Sequence, residues 1–279
     1  MWECGECMTS SHCSCIPPPN PPPTGANMNF VPRSCRFSVH QVKSYIFQLL
    51  LVLEYLHARG FVHRDIKCAN LLLADDNTLK LADFGLARSV KKAYGQLSDR
   101  VITLWYRPPE LLLGETKYGG GVDMWSVGCI LVELLTGRAL LPARTEADQM
   151  KNITSLFGSP AEDSPLRMLP YWGKFGVDGK KSQFAAMLAR HAVFADPELQ
   201  YLVSRLLEVE PEKRITAREA LSVQWFTSAP RISRDAAVAG FVASLLLCVS
   251  PPTLGGCARS NTCSQPVLLL CLQAAARVS

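Results

Sequence analysis

The chain has 279 residues, 48% hydrophobic and 19% charged, with a formal net charge of +5. That apolar fraction excludes wholesale disorder, and the length suits one large domain or two small ones. So mild a charge is no nucleic-acid footprint by itself.

The averages conceal an uneven chain. Residues 1–29 carry two charged side chains (Glu3, Glu6) and residues 232–279 carry four, against 47 in residues 30–231. Eight of the 11 cysteines lie in those two flanks. The expected organisation is a Cys/Pro-rich disordered segment at 1–29, one soluble domain at 30–231, and an apolar, Cys-containing disordered tail at 232–279.

The first residues have no charged stretch leading into an apolar one, so no secretory signal is expected and the cysteines read as reduced thiols. Cys4, Cys7, Cys13 and Cys15 lie beside His12. Thiolates this close could hold zinc, but the loop between the pairs is short and no predicted element orients them. The proline run 17–23, broken by Asn20, favours polyproline II and reads as a stiff linker rather than a docking motif.

Ser38 opens a long helical pattern with apolar residues at Val42, Tyr45, Ile46, Leu49, Leu50, Leu53 and Leu56. Gln41 stands three residues on, the spacing of a capping box, and Gly60 is placed to end the helix. Short apolar runs at 71–73 and 79–81 flank Asp75-Asp76-Asn77 and predict a hairpin. Residues 122–136 are apolar nearly all round and stop at Gly137, which predicts a helix buried on every side. Asp196-Pro197 is a cap followed by proline at the first helical position, and Thr216 with Glu219 forms another capping box. In the tail, the apolar runs 236–249 and 267–276 are too short for a membrane span of about 20 residues.

The chemistry lies on loops. His63-Arg64-Asp65-Ile66-Lys67-Cys68-Ala69-Asn70 precedes the predicted hairpin, and Asp83-Phe84-Gly85 follows it directly. One hairpin thus brings oxygen groups and a lysine together from its two ends. Asn70 and Asp83 suit Mg2+, Asp65 can accept a hydroxyl proton, and Lys67 can neutralise a transferring phosphoryl group. An ordinary solvated loop does not account for the ordered set.

H-R-D-x-K-x-x-N, then D-F-G, then Pro108-Pro109-Glu110 resembles the eukaryotic protein-kinase signature set. The stretches 101–114 and 122–129 resemble cyclin-dependent kinases, and specifically the transcription-associated branch that phosphorylates the RNA polymerase II tail. The resemblance runs from about residue 30 to 230. It implies a protein-kinase-like fold, represented by a mainly α-helical C-lobe with a small β-hairpin, the N-lobe β-sheet being largely absent. It further implies ATP and Mg2+ as cofactors, protein substrates with Ser/Thr-Pro sites, a cyclin partner, no direct nucleic acid, no membrane, and a nuclear location, with a cytoplasmic one as the alternative.

Carried over by position, the resemblance makes Asp65 the catalytic base and Asn70 and Asp83 the Mg2+ ligands. Lys67 and Thr103 would position the phosphoryl and hydroxyl groups. Ser98 falls where the family has its phosphoacceptor threonine, and Arg64 would pair with that phosphate. Ile102 and Arg107 would shape a pocket for proline after the target residue. Glu110 and Arg214 would form a buried ion pair, and Asp123 would brace the catalytic loop; for these last three a purely structural reading is equally good.

Upstream of His63 there is no G-x-G-x-x-G, no lysine but Lys43, and no suitably placed helix glutamate. The helix that docks a cyclin belongs to that missing part. The expectation is therefore a Ser/Thr kinase of cyclin-dependent type, inactive as it stands. The alternatives are a non-catalytic C-lobe acting as an interaction module, or a small metal module fused to a kinase remnant.

Overall fold

Ser38 opens the longest helix in the manner its spacing predicts. Its Oγ accepts from the Gln41 N–H at 3.2 Å while Gln41 Oε1 accepts from the Ser38 N–H at 2.9 Å, so two otherwise orphaned donors are satisfied reciprocally. The computed structural model describes residues 37–74, 77–90, 97–176 and 178–232. The amino-terminal cysteine cluster, the polyproline run and the apolar tail lie outside the described residues.

Helix α1 (Val39–Ala58) ends at Arg59, and Gly60 follows in the left-handed region with φ 77°, a conformation glycine adopts without a Cβ penalty. Strands β1 (Phe61–Val62), β2 (Leu71–Leu73), β3 (Leu79–Leu81) and β4 (Arg88–Ser89) then form two antiparallel two-stranded ladders. In β2–β3, Leu71 pairs with Leu81 and Leu73 with Leu79, which puts all four leucines on the buried face. The β1–β4 ladder pairs Phe61 with Ser89 and Val62 with Arg88. It is not visible in the sequence pattern, because two residues are too few to show an alternation.

Gln48, buried in the middle of α1, fixes where the hairpin sits. Its Oε1 accepts from the Leu79 N–H at 2.8 Å, its Nε2 donates to the Asn77 carbonyl at 3.3 Å, and the Tyr45 hydroxyl donates to Asn77 Oδ1 at 3.0 Å. A polar residue on a buried helix face thus docks one end of the strand.

The remaining helices are α2 (Pro109–Leu112), α3 (Gly121–Thr136), α4 (Glu146–Phe157), α5 (Trp172–Phe175), α6 (Phe184–Leu188), α7 (Pro197–Leu206) and α8 (Ala217–Leu221). Helix α3 buries residues on every side from Val122 to Val132 and stops at Gly137, φ 72°. It packs against α1 and α7, and α8 packs against α1. Gly128 permits the α3–α7 contact: a Cβ there would lie 2.7 Å from Leu207 Cγ, well inside van der Waals contact. Asp196 caps α7 by accepting from the Glu198 N–H at 2.9 Å, and Thr216 with Glu219 closes the capping box of α8. Helix α4 escapes the hydrophobic pattern because few of its positions are apolar, with Met150 and Ile153 buried among polar neighbours.

Lys43 lies on α1 and is fully buried. Its ammonium donates to the Ser228 carbonyl at 3.1 Å and sits over the Trp225 ring at 5.1 Å, so it ties the end of the domain to α1. Among the described residues no helix is long and apolar enough to cross a membrane, and no cluster of three or more His, Cys, Asp or Glu could hold a metal ion.

Candidate active site

The β1–β2 loop carries residues 63–70, and the turn after β3 carries Asp83. Backbone bonds stitch the two together: the Ala82 N–H donates to the Asn70 carbonyl at 2.9 Å. Arg64 and Asp83 both have positive φ, 68° and 60°, a region that non-glycine residues occupy at a cost. Asp123, at the start of α3, holds the first of these. Its carboxylate accepts from the His63 N–H (2.9 Å), the Arg64 N–H (2.9 Å) and His57 Nε2 (2.8 Å). Asp83 is exposed and accepts from the Gly85 N–H at 3.2 Å.

Asp65 is the hub. Lys67 Nζ lies 2.7 Å from its Oδ2, the Thr103 hydroxyl donates to its Oδ1 at 3.0 Å, and Asn70 Nδ2 donates to both its carbonyl (2.8 Å) and its Oδ2 (3.0 Å). Lys67 also reaches Thr103 Oγ1 at 3.2 Å. Burial pushes the Asp65 carboxyl up. The Lys67 ammonium and the hydrogen bonds from Thr103 and Asn70 outweigh it and hold the group below the usual carboxylate range. Asn70 spends its amide hydrogens on Asp65, which leaves Oδ1 as its acceptor. One neutral carbonyl oxygen and one exposed carboxylate, on loops joined at Ala82, fit the hard-oxygen preference of Mg2+.

His63 is buried beneath this hub. The Asp65 N–H donates to Nδ1 at 3.3 Å, which leaves Nε2–H to donate to the Ala82 carbonyl at 3.2 Å. Both nitrogens are used by the neutral ring, and burial holds the group below its ordinary 6.5 despite the carboxylates nearby. The unfolded chain therefore takes up a proton that the folded one refuses as pH falls below 6.5. Stability should drop between pH 6.5 and 5.5 on this account, by at most about 1 kcal/mol. Urea unfolding across that range checks it: His63→Gln should flatten the slope, and an unchanged slope would refute the assignment.

The segment after Ser98 is held by residues the sequence singles out together with Tyr106, Ser126, Glu133 and Glu146, which it does not. Ile102 has φ 68°, and its carbonyl accepts from Arg107 Nε (3.2 Å) and Nη2 (3.0 Å). Arg107 Nη1 in turn meets Glu146 Oε1 on α4 at 2.7 Å. The Tyr106 hydroxyl donates to Glu133 Oε2 at 2.8 Å, and Ser126 Oγ donates to the Tyr106 carbonyl at 2.9 Å, which fastens the segment to α3. Glu110 and Arg214 form a buried bidentate pair at 2.7 and 3.0 Å. Ser98 is exposed, and its carbonyl accepts from the Tyr118 hydroxyl at 2.6 Å. The Arg64 side chain reaches the Leu86 carbonyl and the Tyr118 oxygen rather than Ser98 directly. Asp65, Lys67, Asn70 and Thr103 are thus in mutual contact. Asp83 joins them only through the backbone, and Ile102 with Arg107 forms a neighbouring group.

A carboxylate, an ammonium and a side-chain amide in contact, with a second carboxylate on the adjoining turn, are groups that phosphoryl transfer can use. Residues 22–226 match the protein kinase domain, and the chain belongs to that family. It is 45% identical over 198 residues to cyclin-dependent kinase C-2 of Arabidopsis thaliana, covering 70% of this chain and 38% of that protein. It is 44% identical over 198 residues to cyclin-dependent kinase C-1 of Oryza sativa subsp. japonica, with the same shares. The chain therefore spans under two fifths of these curated relatives.

Among solved structures it resembles the yeast RNA polymerase II CTD kinase CTDK-1 complex, with TM-score 0.70 and 34% identity over 75% of this chain and 70% of that one. It also resembles the CAK complex of Chaetomium thermophilum bound to ATP-gamma-S, with TM-score 0.66 and 38% identity over 72% and 63%. Within the family the chain falls in the cyclin-dependent kinases, on their transcription-associated branch. The fold is the protein kinase fold, represented among the described residues by its helical lower lobe. Kinases of this family use ATP and Mg2+.

Proposed function

We propose that this chain is the catalytic lower lobe of a Ser/Thr kinase that acts on Ser/Thr-Pro sites in the nucleus with a cyclin. On this reading residues 30–231 form the lower lobe of the kinase domain, flanked by 1–29 and 232–279. The observation that carries the reading is the Asp65 hub, in which one carboxylate is held by Lys67, Thr103 and Asn70 at hydrogen-bond distance.

Bound Mg-ATP would supply the phosphoryl group and a cation to spread its charge. Asn70 Oδ1 and the Asp83 carboxylate would hold that cation. Asp65 takes the proton of the substrate hydroxyl as that oxygen bonds to phosphorus and ADP leaves. Thr103 orients the hydroxyl, and Lys67 offsets the charge on the transferring group. The Ile102 carbonyl is already occupied by Arg107, so it cannot accept from a substrate N–H after the target residue. Proline has no N–H to leave unsatisfied, and this favours it there. Ser98 accepts the activating phosphate. Arg64, only 4% exposed and paired with no carboxylate among the described residues, supplies the charge that meets it.

The 279 residues contain no Gly-rich phosphate loop before His63, so nucleotide binding should be weak and turnover absent. Calorimetry with Mg-ATP should give a dissociation constant above about 1 mM, beyond the usual KM range of complete sites. That binding should disappear on chelating Mg2+ or in Asp83→Ala. Binding indifferent to both would overturn the kinase site. Phosphorylation of a Ser-Pro peptide, abolished by Asp65→Asn, would overturn the inactivity and leave the site standing.

A further inference from the structure

Tyr118 lies in the connection between α2 and α3, which neither the kinase motifs nor the hydrophobic pattern singles out. Its side chain is half-buried, and its hydroxyl does two things at once. It donates to the Ser98 carbonyl at 2.6 Å and accepts from Arg64 Nη1 at 3.0 Å. Arg64 is itself fixed at three further points. Its main-chain N–H is on Asp123 Oδ1 at 2.9 Å, its Nε is on the Leu86 carbonyl at 2.8 Å, and its backbone is held at positive φ. One phenolic oxygen therefore joins the backbone at Ser98 to the loop that carries Asp65 and to the turn that carries Asp83. A second tie runs beside it, from the Leu97 N–H to the Thr116 carbonyl at 2.9 Å. This tie is made by backbone alone and survives any side-chain change.

We propose that Tyr118 is a positioning residue that couples the activation segment to the catalytic loop, with its hydroxyl bracketing Ser98 and Arg64. The name activation segment rests on the kinase reading above; the coupling itself does not. The bond is to the Ser98 carbonyl, so it leaves the serine side chain exposed for modification while holding the backbone that leads to Ile102 and Thr103. The hydroxyl also uses the polarity of Arg64, making its bond to the carbonyl stronger than that of an isolated phenol. Phosphate on Ser98 would compete for the same guanidinium. Tyr118 is thus the contact that the unmodified chain uses in its place.

Hydrogen exchange by mass spectrometry on the full chain tests this. Tyr118→Phe removes only the oxygen and keeps the ring. It should accelerate exchange of the amides between Ser98 and Thr103 roughly tenfold, the effect of losing one charge-assisted bond, while protection in α3 and the thermal midpoint stay as in the parent. Ser98→Ala keeps the carbonyl and loses only the bond from the Arg100 N–H to Ser98 Oγ (3.3 Å), so it should speed exchange at Arg100 and leave the other amides of the stretch like the parent. Unchanged exchange over 98–103 in Tyr118→Phe overturns the proposal. So does acceleration spread equally through α3, or equal acceleration of the amides other than Arg100 in Ser98→Ala. Separately, incubating the chain with an active cyclin-dependent-kinase-activating kinase and Mg-ATP asks whether Ser98 takes phosphate. Failure there removes the regulatory reading of Ser98, and the exchange result decides the coupling independently.

Discussion

Replacing Arg214 by alanine should destabilise the domain by about 3–5 kcal/mol, the range for breaking a buried ion pair by removing one partner. The Arg214 guanidinium meets both oxygens of Glu110, at 2.7 and 3.0 Å, with neither side chain appreciably exposed. It also donates to the carbonyls of Gly121 at 2.8 Å and Glu208 at 2.9 Å, and stacks over the Trp125 ring at 5.2 Å. Truncation would leave a buried carboxylate and the carbonyls of Gly121, Glu208 and Val209 without this donor. The pair joins α2, which ends the substrate-facing segment, to the loop before α8. The single loss should therefore appear both as a lower urea midpoint and as looser exchange around Pro108–Leu112. The double variant Glu110→Met, Arg214→Met should recover much of the stability, since an apolar pair of similar volume leaves no orphaned charge. A single-variant loss under about 1 kcal/mol would place the pair with exposed salt bridges and sink this account.

What could be read from the chain in advance follows how local the signal is. Ser38 with Gln41, Asp196 with Pro197, and Thr216 with Glu219 are caps made within three residues, so the ends of α1, α7 and α8 are legible as text. The hairpin is legible for a similar reason: two leucine runs flank a turn. It brings Asn70 and Asp83 to one place without further information. Other contacts depend on partners that only tertiary packing selects. Glu146 reaches Arg107 across 39 positions, Glu133 reaches Tyr106 across 27, and Gln48 reaches Leu79 across 31. Nothing in periodicity distinguishes these polar residues from their solvated neighbours. Lys43 is the sharpest instance. A lysine on an amphipathic helix reads as surface, yet it is buried because a carbonyl 185 residues away and a tryptophan face accept its charge.

Asp123→Ala should remove a further 3–5 kcal/mol, on the order of 1–3 kcal/mol for each buried donor left without a partner. The carboxylate accepts from two consecutive backbone N–H groups, His63 and Arg64, and from the His57 ring. It is the reason Arg64 can hold φ 68°. Without it, the loop has no cause to keep Asp65 facing Lys67 and Thr103, so the damage reaches the site as well as the fold. Asp123→Asn retains one acceptor oxygen and should lose about half as much on the same per-bond scale. The acid behaviour gives a second check. Burial pushes the Asp123 carboxyl up, but the His57 hydrogen bond and charge, the His63 ring and the Arg64 N–H hold it below its ordinary 3.8. A depressed carboxylate stabilises the fold above its unfolded pKa and ceases to do so as pH falls through the folded value. The gap between parent and Asp123→Ala should thus be full at pH 7 and narrow only below pH 3.8, as far down as the fold persists. Chemical denaturation at stepped pH measures that gap, and amide exchange at His63 and Arg64 reports the loop. A variant as stable as the parent at pH 7, or one whose two loop amides stay protected, would show that the catalytic loop is held by something other than this carboxylate.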